Sequence, residues 1–226
     1  MVPRNIIIFG DPAVDRRFVL ELAGASLDPF GLPPRIFETQ RHSVTVSDQE
    51  YALYNTAGLP SDGSSSLQAR EVLGNLYRFI RAFDGGINLL IYVVRTDKPS
   101  DSNFRLFSDY LCQQDAPIIL VQTTHIPSEP SWFKLVLVLD GADPESDKVT
   151  LRKAIARHLK KSPKVISPME RFETTARGSW KLLEKKASWS LADCRDALRF
   201  TFEKHGFFSA KDASARCESI VESIKT

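Results

Sequence analysis

Gly10 closes an apolar run, Ile6-Ile7-Ile8-Phe9, and is followed by Asp11-Pro12-Ala13-Val14 and then by Asp15-Arg16-Arg17. A loop that cradles phosphate needs a glycine after a buried strand, four residues, and then Gly-Lys-Ser or Gly-Lys-Thr opening a helix. Consecutive backbone N–H groups and the helix N-terminus surround the anion, and the hydroxyl holds magnesium. Here only the first glycine is kept. Asp15 adds a Cβ and a negative charge where the backbone must approach an anion. Arg16 keeps the positive charge of a lysine on a larger, planar group. Arg17 puts a cation in place of the magnesium-binding hydroxyl, and Pro12 removes one N–H donor.

Other chemistry is sparse. Cys112, Cys194 and Cys217 are odd in number and widely spaced, which fits reduced thiols better than a disulfide framework. His42, His125, His158 and His205 have no metal-ligand spacing, so no metal site is expected. No Gly-x-Ser-x-Gly elbow accompanies the serines, and Cys112 sits in a helical pattern as a core residue, so no catalytic residue is assigned. No apolar segment approaches the length of a membrane span and the N-terminus lacks a leader pattern; the expected location is cytoplasmic.

The elements that must position these residues alternate strand and helix, the signature of an α/β layered sheet. Asn5–Phe9 is a buried strand, and Val14–Ala23 a helix closed by Gly24. Phe30–Gln40 is a loop, and Ser43–Ser47 with Tyr51–Tyr54 a hairpin. A long amphipathic helix carries Leu67, Val72, Leu73, Leu76, Phe79, Ile80 and Phe83 on one face. Ile87–Val94 is a central strand apolar on both faces. A helix carrying Phe104, Phe107 and Leu111 inward leads to a strand at Pro117–Val121. Phe133–Leu139 reads as a further strand and Thr150–Leu159 as a helix. Only nine residues, 124–132, precede the Phe133 strand, too few for an ordinary parallel crossover. The expectation is therefore a missing helix or an antiparallel edge strand. Ser162–Thr175 reads as loop, with a short strand at Lys164–Ile166. Ser190 with Asp193 and Ser209 with Asp212 mark the starts of two helices. Their stripes, Leu191/Cys194/Leu198/Phe202 and Ala213/Cys217/Ile220/Ile224, must dock on the sheet domain. The division expected is an α/β domain over 1–168 and a helical extension over 169–226.

Charge is uneven along the chain. Residues 1–150 hold 13 Lys+Arg against 19 Asp+Glu, and residues 151–226 hold 17 against 9, within an overall net charge of +2. The basic C-terminal third suits an acidic surface, with a solvated helix face as the plainer reading. No motif for a specific nucleic acid accompanies it.

Four positions in chain order carry a resemblance. They are Gly10; Asn55-Thr56-Ala57-Gly58-Leu59 after the hairpin, where such GTPases read Asp-Thr-Ala-Gly or Asp-Thr-Pro-Gly; the strand Leu89–Arg95; and Pro117–Thr124, ending where a Thr-Lys-x-Asp base-reading motif belongs. Over residues 4–125 the chain resembles the immune-associated, septin-like branch of the P-loop GTPases. The resemblance implies a P-loop NTPase-like three-layer α/β/α sandwich with a mostly parallel sheet, followed here by the C-terminal helical extension. It also implies a degenerate nucleotide site formed by Gly10, Asp11, Asp15, Arg16, Arg17, Asn55, Thr56, Gly58, Thr123 and Thr124.

In that family scheme Asn55 replaces the aspartate that binds magnesium through its shell, and Gly58 would offer its N–H to a terminal phosphate. Thr124 takes the lysine's place in the base-reading motif and Ile126 the aspartate's. Glu129 is a shifted candidate for the base contact, and Thr174-Thr175-Ala176-Arg177 a late base-contacting loop or a helix-entry turn. Thr39 and Thr45 both remain candidates for the first switch. A nanomolar site corresponds to about −12 kcal/mol. Three lost charge-assisted contacts, at about 1.5–3 kcal/mol each, would move it into the micromolar-to-millimolar range.

The expected function is thus that of a pseudo-GTPase acting as a protein-interaction module, with no cofactor. Its partner would be a protein, either a second copy or a related G domain, met through Arg16, Arg17 and the Gly58–Ser66 loop. Arg16 and Arg17 could instead pair with Asp15 or Asp11 and lock an empty loop. The alternative is a divergent GTP binder with slow hydrolysis, using GTP or GDP with magnesium. A third reading places the function in the basic C-terminal hairpin.

Overall fold

The computed structural model describes residues 4–10, 14, 16–28, 31–46, 49–59, 69–82, 85–95, 101–123, 135–160, 162–187, 190–204 and 210–225. The elements are β1 (Arg4–Gly10), α1 (Arg17–Ala23), β2 (Gln40–Val46), β3 (Gln49–Ala57), α2 (Ala69–Arg81), β4 (Leu89–Val94), α3 (Asp101–Arg105) running into a π-helical segment (Leu106–Leu111), β5 (Ile118–Gln122), β6 (Val136–Val138), α4 (Pro144–His158), α5 (Pro168–Ala187), α6 (Leu191–Lys204) and α7 (Ala210–Lys225). No helix among the described residues is long and apolar enough to cross a membrane.

The strands form one six-stranded sheet in the order β2-β3-β1-β4-β5-β6. All neighbours are parallel except β2 and β3, which form an antiparallel hairpin. Successive strand residues point to opposite faces, so the unbroken Ile6-Ile7-Ile8-Phe9 run requires cover on both. Ile6, Ile8, Leu53, Ile91 and Val93 pack beneath α1 and α4 with Val19, Leu22, Leu151 and Ile155. Ile7, Phe9, Leu90 and Tyr92 pack on the other face against α2 and the π-helical segment. There Phe9 stacks between Tyr92 and Phe107, at 4.7 Å and 4.0 Å between ring centroids. The chain is therefore a mixed α/β sandwich around a mostly parallel sheet.

The last three helices form a further layer over α2 and the π-helical segment. Phe172, Ala176 and Trp180 of α5, Ala197, Leu198 and Phe202 of α6, and Ala213, Cys217 and Ile220 of α7 share one buried cluster with the sheet face. The wide π turn brings Tyr110 against α5, where Gly178 leaves the space its ring needs: a Cβ there would lie 2.1 Å from Tyr110 Cγ. Ser190 and Asp193 form the expected reciprocal cap, with Asp193 N–H donating to Ser190 Oγ at 3.1 Å and Ser190 N–H to Asp193 Oδ2 at 2.7 Å. Ser209 lies outside the described residues.

Several expectations change. Residues from Pro168 to Thr175 are not loop but the first turns of the long helix α5. Ser167 caps it, its Oγ accepting from Glu170 N–H at 3.2 Å, and Pro168 takes the first-turn place where its missing N–H costs nothing. Thr174 and Thr175 sit inside α5 and bond back to the carbonyls of Glu170 and Arg171 at 2.9 and 2.7 Å, so this run is neither a base-contacting loop nor a helix-entry turn. Lys164–Ile166 is not a strand. β6 is short and pairs parallel with β5, not antiparallel; Phe133 and Lys134 lie outside the described residues. α4 begins at Pro144, before Thr150, because Asp143 caps it by accepting from Ser146 N–H at 3.2 Å. α1 begins at Arg17, not Val14.

Candidate functional site

In an open α/β sheet the crevice outside the carboxyl ends of the strands, where the connections diverge to either side, is where ligands bind. Here β1 runs between β3 and β4, and that crevice opens at Gly10. Gly10 pairs with Ala57 of β3 and Val93 of β4. A Cβ at Gly10 would lie 2.5 Å from the Val93 carbonyl oxygen, so close packing of β1 on β4 alone requires glycine there.

Arg16 and Asn55 meet directly across this crevice. Arg16, only 3% exposed, donates from Nε to Asn55 Oδ1 at 3.0 Å and from a terminal nitrogen to the Val14 carbonyl at 3.3 Å. Asn55, 4% exposed, donates in turn to Gln40 Oε1 at 3.0 Å. A buried guanidinium needs hydrogen-bond acceptors to offset its lost hydration. Asn55 Oδ1 and the Val14 carbonyl are two of them, and the Arg16–Asn55–Gln40 chain ties the start of α1 to β3 and β2. Arg17 points elsewhere, donating to the carbonyls of Asp28 at 3.2 Å and Gly31 at 3.4 Å, and so holds the loop after α1.

The Thr56–Leu59 segment is held as firmly. Thr56 is fully buried, and its hydroxyl donates at 3.5 Å to the Ala57 carbonyl. The Gly58 N–H donates to the Gly10 carbonyl at 2.8 Å, joining the ends of β1 and β3. Asn103 of α3, with no exposed surface, accepts from Leu59 N–H at 2.6 Å and donates to Leu59 C=O at 3.0 Å. A Cβ on Gly58 would come within 2.3 Å of Asn103 Oδ1. Thr123 follows β5, two strands from β1, with its N–H donating to the Val94 carbonyl at 3.1 Å. The crevice thus joins Gly10, Arg16, Asn55 and Gly58, while Arg17 serves the neighbouring loop. Asp11, Asp15 and Thr124 lie outside the described residues, as do Ile126 and Glu129. Of the first-switch candidates, Thr45 is exposed in β2, and Thr39 adjoins Gln40 with its hydroxyl donating to Phe37 C=O at 3.4 Å.

Beside the Arg16–Asn55 pair opens a cavity of about 430 Å³, bounded by Arg17, Leu20, Leu27, Leu32, Gln40 and His42 among others. His42 Nε2 is buried with no hydrogen-bond partner among the described residues. Burial holds this imidazole below the ordinary histidine range, outweighing the opposing hydrogen bond with the Ser26 backbone, so it faces the cavity neutral near pH 7. No cluster of histidine, cysteine, aspartate or glutamate among the described residues could hold a metal ion. The three thiols offer no nucleophile: burial pushes Cys112 and Cys194 up to about 12 and Cys217 to about 11.

Sequence reasoning passed over Gln40, His42, Asn103 and Gln122. Asn103 carried a usable signal, because it precedes Phe107 by one helical turn and so shares the inward face of that helix. Gln122 carried none. It ends β5 with no exposed surface, and neither amide atom has a partner among the described residues. Burying an unpaired amide costs about 1–3 kcal/mol. Gln122→Leu is therefore expected to stabilise the fold by about 1 kcal/mol, read as a rise in the urea midpoint.

No protein-family model matches the chain, and no curated protein matches it.

Proposed function

We propose that this chain is a pseudo-GTPase, a G-domain-like scaffold with a degenerate nucleotide site that acts by binding a protein partner. The observation carrying this reading is the buried Arg16–Asn55 hydrogen bond of 3.0 Å. Under the G-domain reading these are the lysine and magnesium-aspartate positions, and in this chain the two substituted residues are hydrogen-bonded to each other. A competent site would keep both groups available to phosphate and metal. Here the arginine Nε–H is bonded to an amide oxygen, and the amide nitrogen to Gln40.

Two further features support the reading. The Gly58 N–H, which would serve a terminal phosphate, is committed to the Gly10 carbonyl. Arg17, at the magnesium-hydroxyl place, donates to the backbone carbonyls of Asp28 and Gly31. Arg16 is tied to Asn55, while Asp11 and Asp15 lie outside the described residues. The surface left to a partner, a second copy or a related G domain, is the rim around Arg17 and the exposed Leu32.

Titration calorimetry with GTPγS and magnesium tests the proposal. The expected result for the native chain is no binding tighter than about 10 µM. Binding tighter than that, abolished by Arg16→Ala, would replace this reading with a divergent GTP binder that uses Arg16 as its phosphate cation. Restoring Asp15→Gly, Arg16→Lys, Arg17→Ser and Asn55→Asp together is expected to raise affinity by at least about tenfold.

A further inference from the structure

A second surface lies among the helices on the other side of the sheet from α1. Between α2 and α6 runs a groove of about 330 Å³, with Gly74 and Thr201 among its lining, Arg70, Arg78, Phe200 and Lys204 around them, and one carboxylate, Glu71, which Arg35 holds at 2.8 Å. Phe200 is 40% exposed, unusual for so large an apolar side chain. Arg70 and Lys204 lie over its ring at 5.3 and 5.5 Å from the centroid.

Two features set this groove apart. The first is charge. Nearby cations are neutralised, Arg35 by Glu71 at 2.8 Å, Arg195 by Glu218 at 2.8 Å and Arg199 by Glu203 at 2.8 Å. Arg70, Arg78 and Lys204 have no ion-pair partner among the described residues. The second is space. Gly74 lies inside α2, where glycine costs about 1 kcal/mol relative to alanine. Nothing lies within 4 Å of the place its Cβ would take, so no packing requirement accounts for the glycine. What it does is deepen the groove.

We infer that this groove docks an acidic, extended segment of a protein partner. Arg70 and Arg78 stand two helical turns apart, about 12 Å, which about four residues of extended peptide span. Two carboxylates at that spacing reach both arginines, with Lys204 between α6 and the peptide. A side chain from the segment enters the notch at Gly74 and lies against Phe200. An acidic polypeptide fits better than nucleic acid, because the groove's lining holds one aromatic ring, Phe200, rather than a row of rings on which successive bases would stack. The inference stands apart from the nucleotide-site reading, since it uses none of the same residues.

The test is fluorescence anisotropy of the full chain with a short labelled peptide of glutamates around one central leucine. Binding is expected, weakening at least about fivefold when salt rises from about 50 to about 300 mM. Arg70→Glu with Lys204→Glu is expected to weaken it at least about tenfold. Because a charge reversal could perturb the fold, Gly74→Gln is the second variant: it is expected to keep or raise the thermal midpoint while weakening binding about fivefold or more. Failure to bind at about 1 mM peptide, binding unchanged in either folded variant, or tighter binding of an oligothymidylate of equal charge would each overturn the proposal.

Discussion

Gly178→Ala is expected to destabilise the protein by about 1–3 kcal/mol, whereas the same change at Gly74 is expected to stabilise it by about 0.5–1 kcal/mol. Both glycines lie inside helices, and helix propensity alone predicts a gain at each. The surroundings decide the sign. At Gly178 the new methyl would lie 2.1 Å from Tyr110 Cγ and 2.2 Å from Cδ2. Cγ is the root of that ring, so the side chain cannot swing its tip aside; α5 must move away from the π-helical segment. That movement disturbs Phe172, Ala176 and Trp180, which seat α5 in the core. At Gly74 the methyl meets open space. Urea denaturation of the two variants beside the native chain checks the pair. Equal shifts of one sign would refute the close approach of α5 to Tyr110.

Asn103→Ala is expected to cost about 2–5 kcal/mol, because it orphans both backbone groups of the buried Leu59. The Asn103 amide takes the place of a strand partner for Leu59 just beyond the end of β3. Leu59 itself is fully buried. The same substitution frees the Gly58–Leu59 segment next to the Gly10 carbonyl, and so loosens one wall of the crevice. Asn103→Asp separates the two halves of the interaction: the carboxylate keeps the acceptor for Leu59 N–H but has no donor for Leu59 C=O, whereas the protonated acid supplies an O–H for it. Its expected cost is smaller than that of alanine when the carboxyl is protonated and larger at neutral pH, where a buried carboxylate carries its desolvation cost. Chemical denaturation at about pH 4 and pH 7 reads this difference.

How much of the molecule was legible before folding differs from element to element. β1 and β4 were, because their unbroken apolar runs have one physical use, a strand covered on both faces; β3 was legible only as the hairpin strand Tyr51–Tyr54, while the strand itself runs from Gln49 to Ala57. The α2 stripe was legible for the same reason at helical spacing: Val72, Leu73, Leu76, Phe79 and Ile80 are all buried. α5 was not. Its Ser167-Pro168 start is a valid helix entry, but two nearby prolines and paired threonines look like loop. What overrides that local preference is burial of Phe172, Ala176 and Trp180 at four-residue spacing. Parallel pairing of β6 was likewise hidden, since loop length limits but does not decide strand direction.

The candidate site divides along the same line. From sequence alone came the types of residue at 10, 15, 16, 17 and 55, and with them the expectation of a degenerate nucleotide site. Residue identity carries that expectation, because no fold can give Arg17 an oxygen on its side chain. Which residue answers which was decided only by tertiary structure. Arg16 lies 39 positions from Asn55 in the chain, and nothing local relates them. The parallel pairing of β1 with β3 sets the carboxyl end of one strand beside the other, and the buried guanidinium then requires an acceptor within reach. Hydrogen-bond satisfaction in a closed space selects the partner, and that space exists only once the sheet has formed.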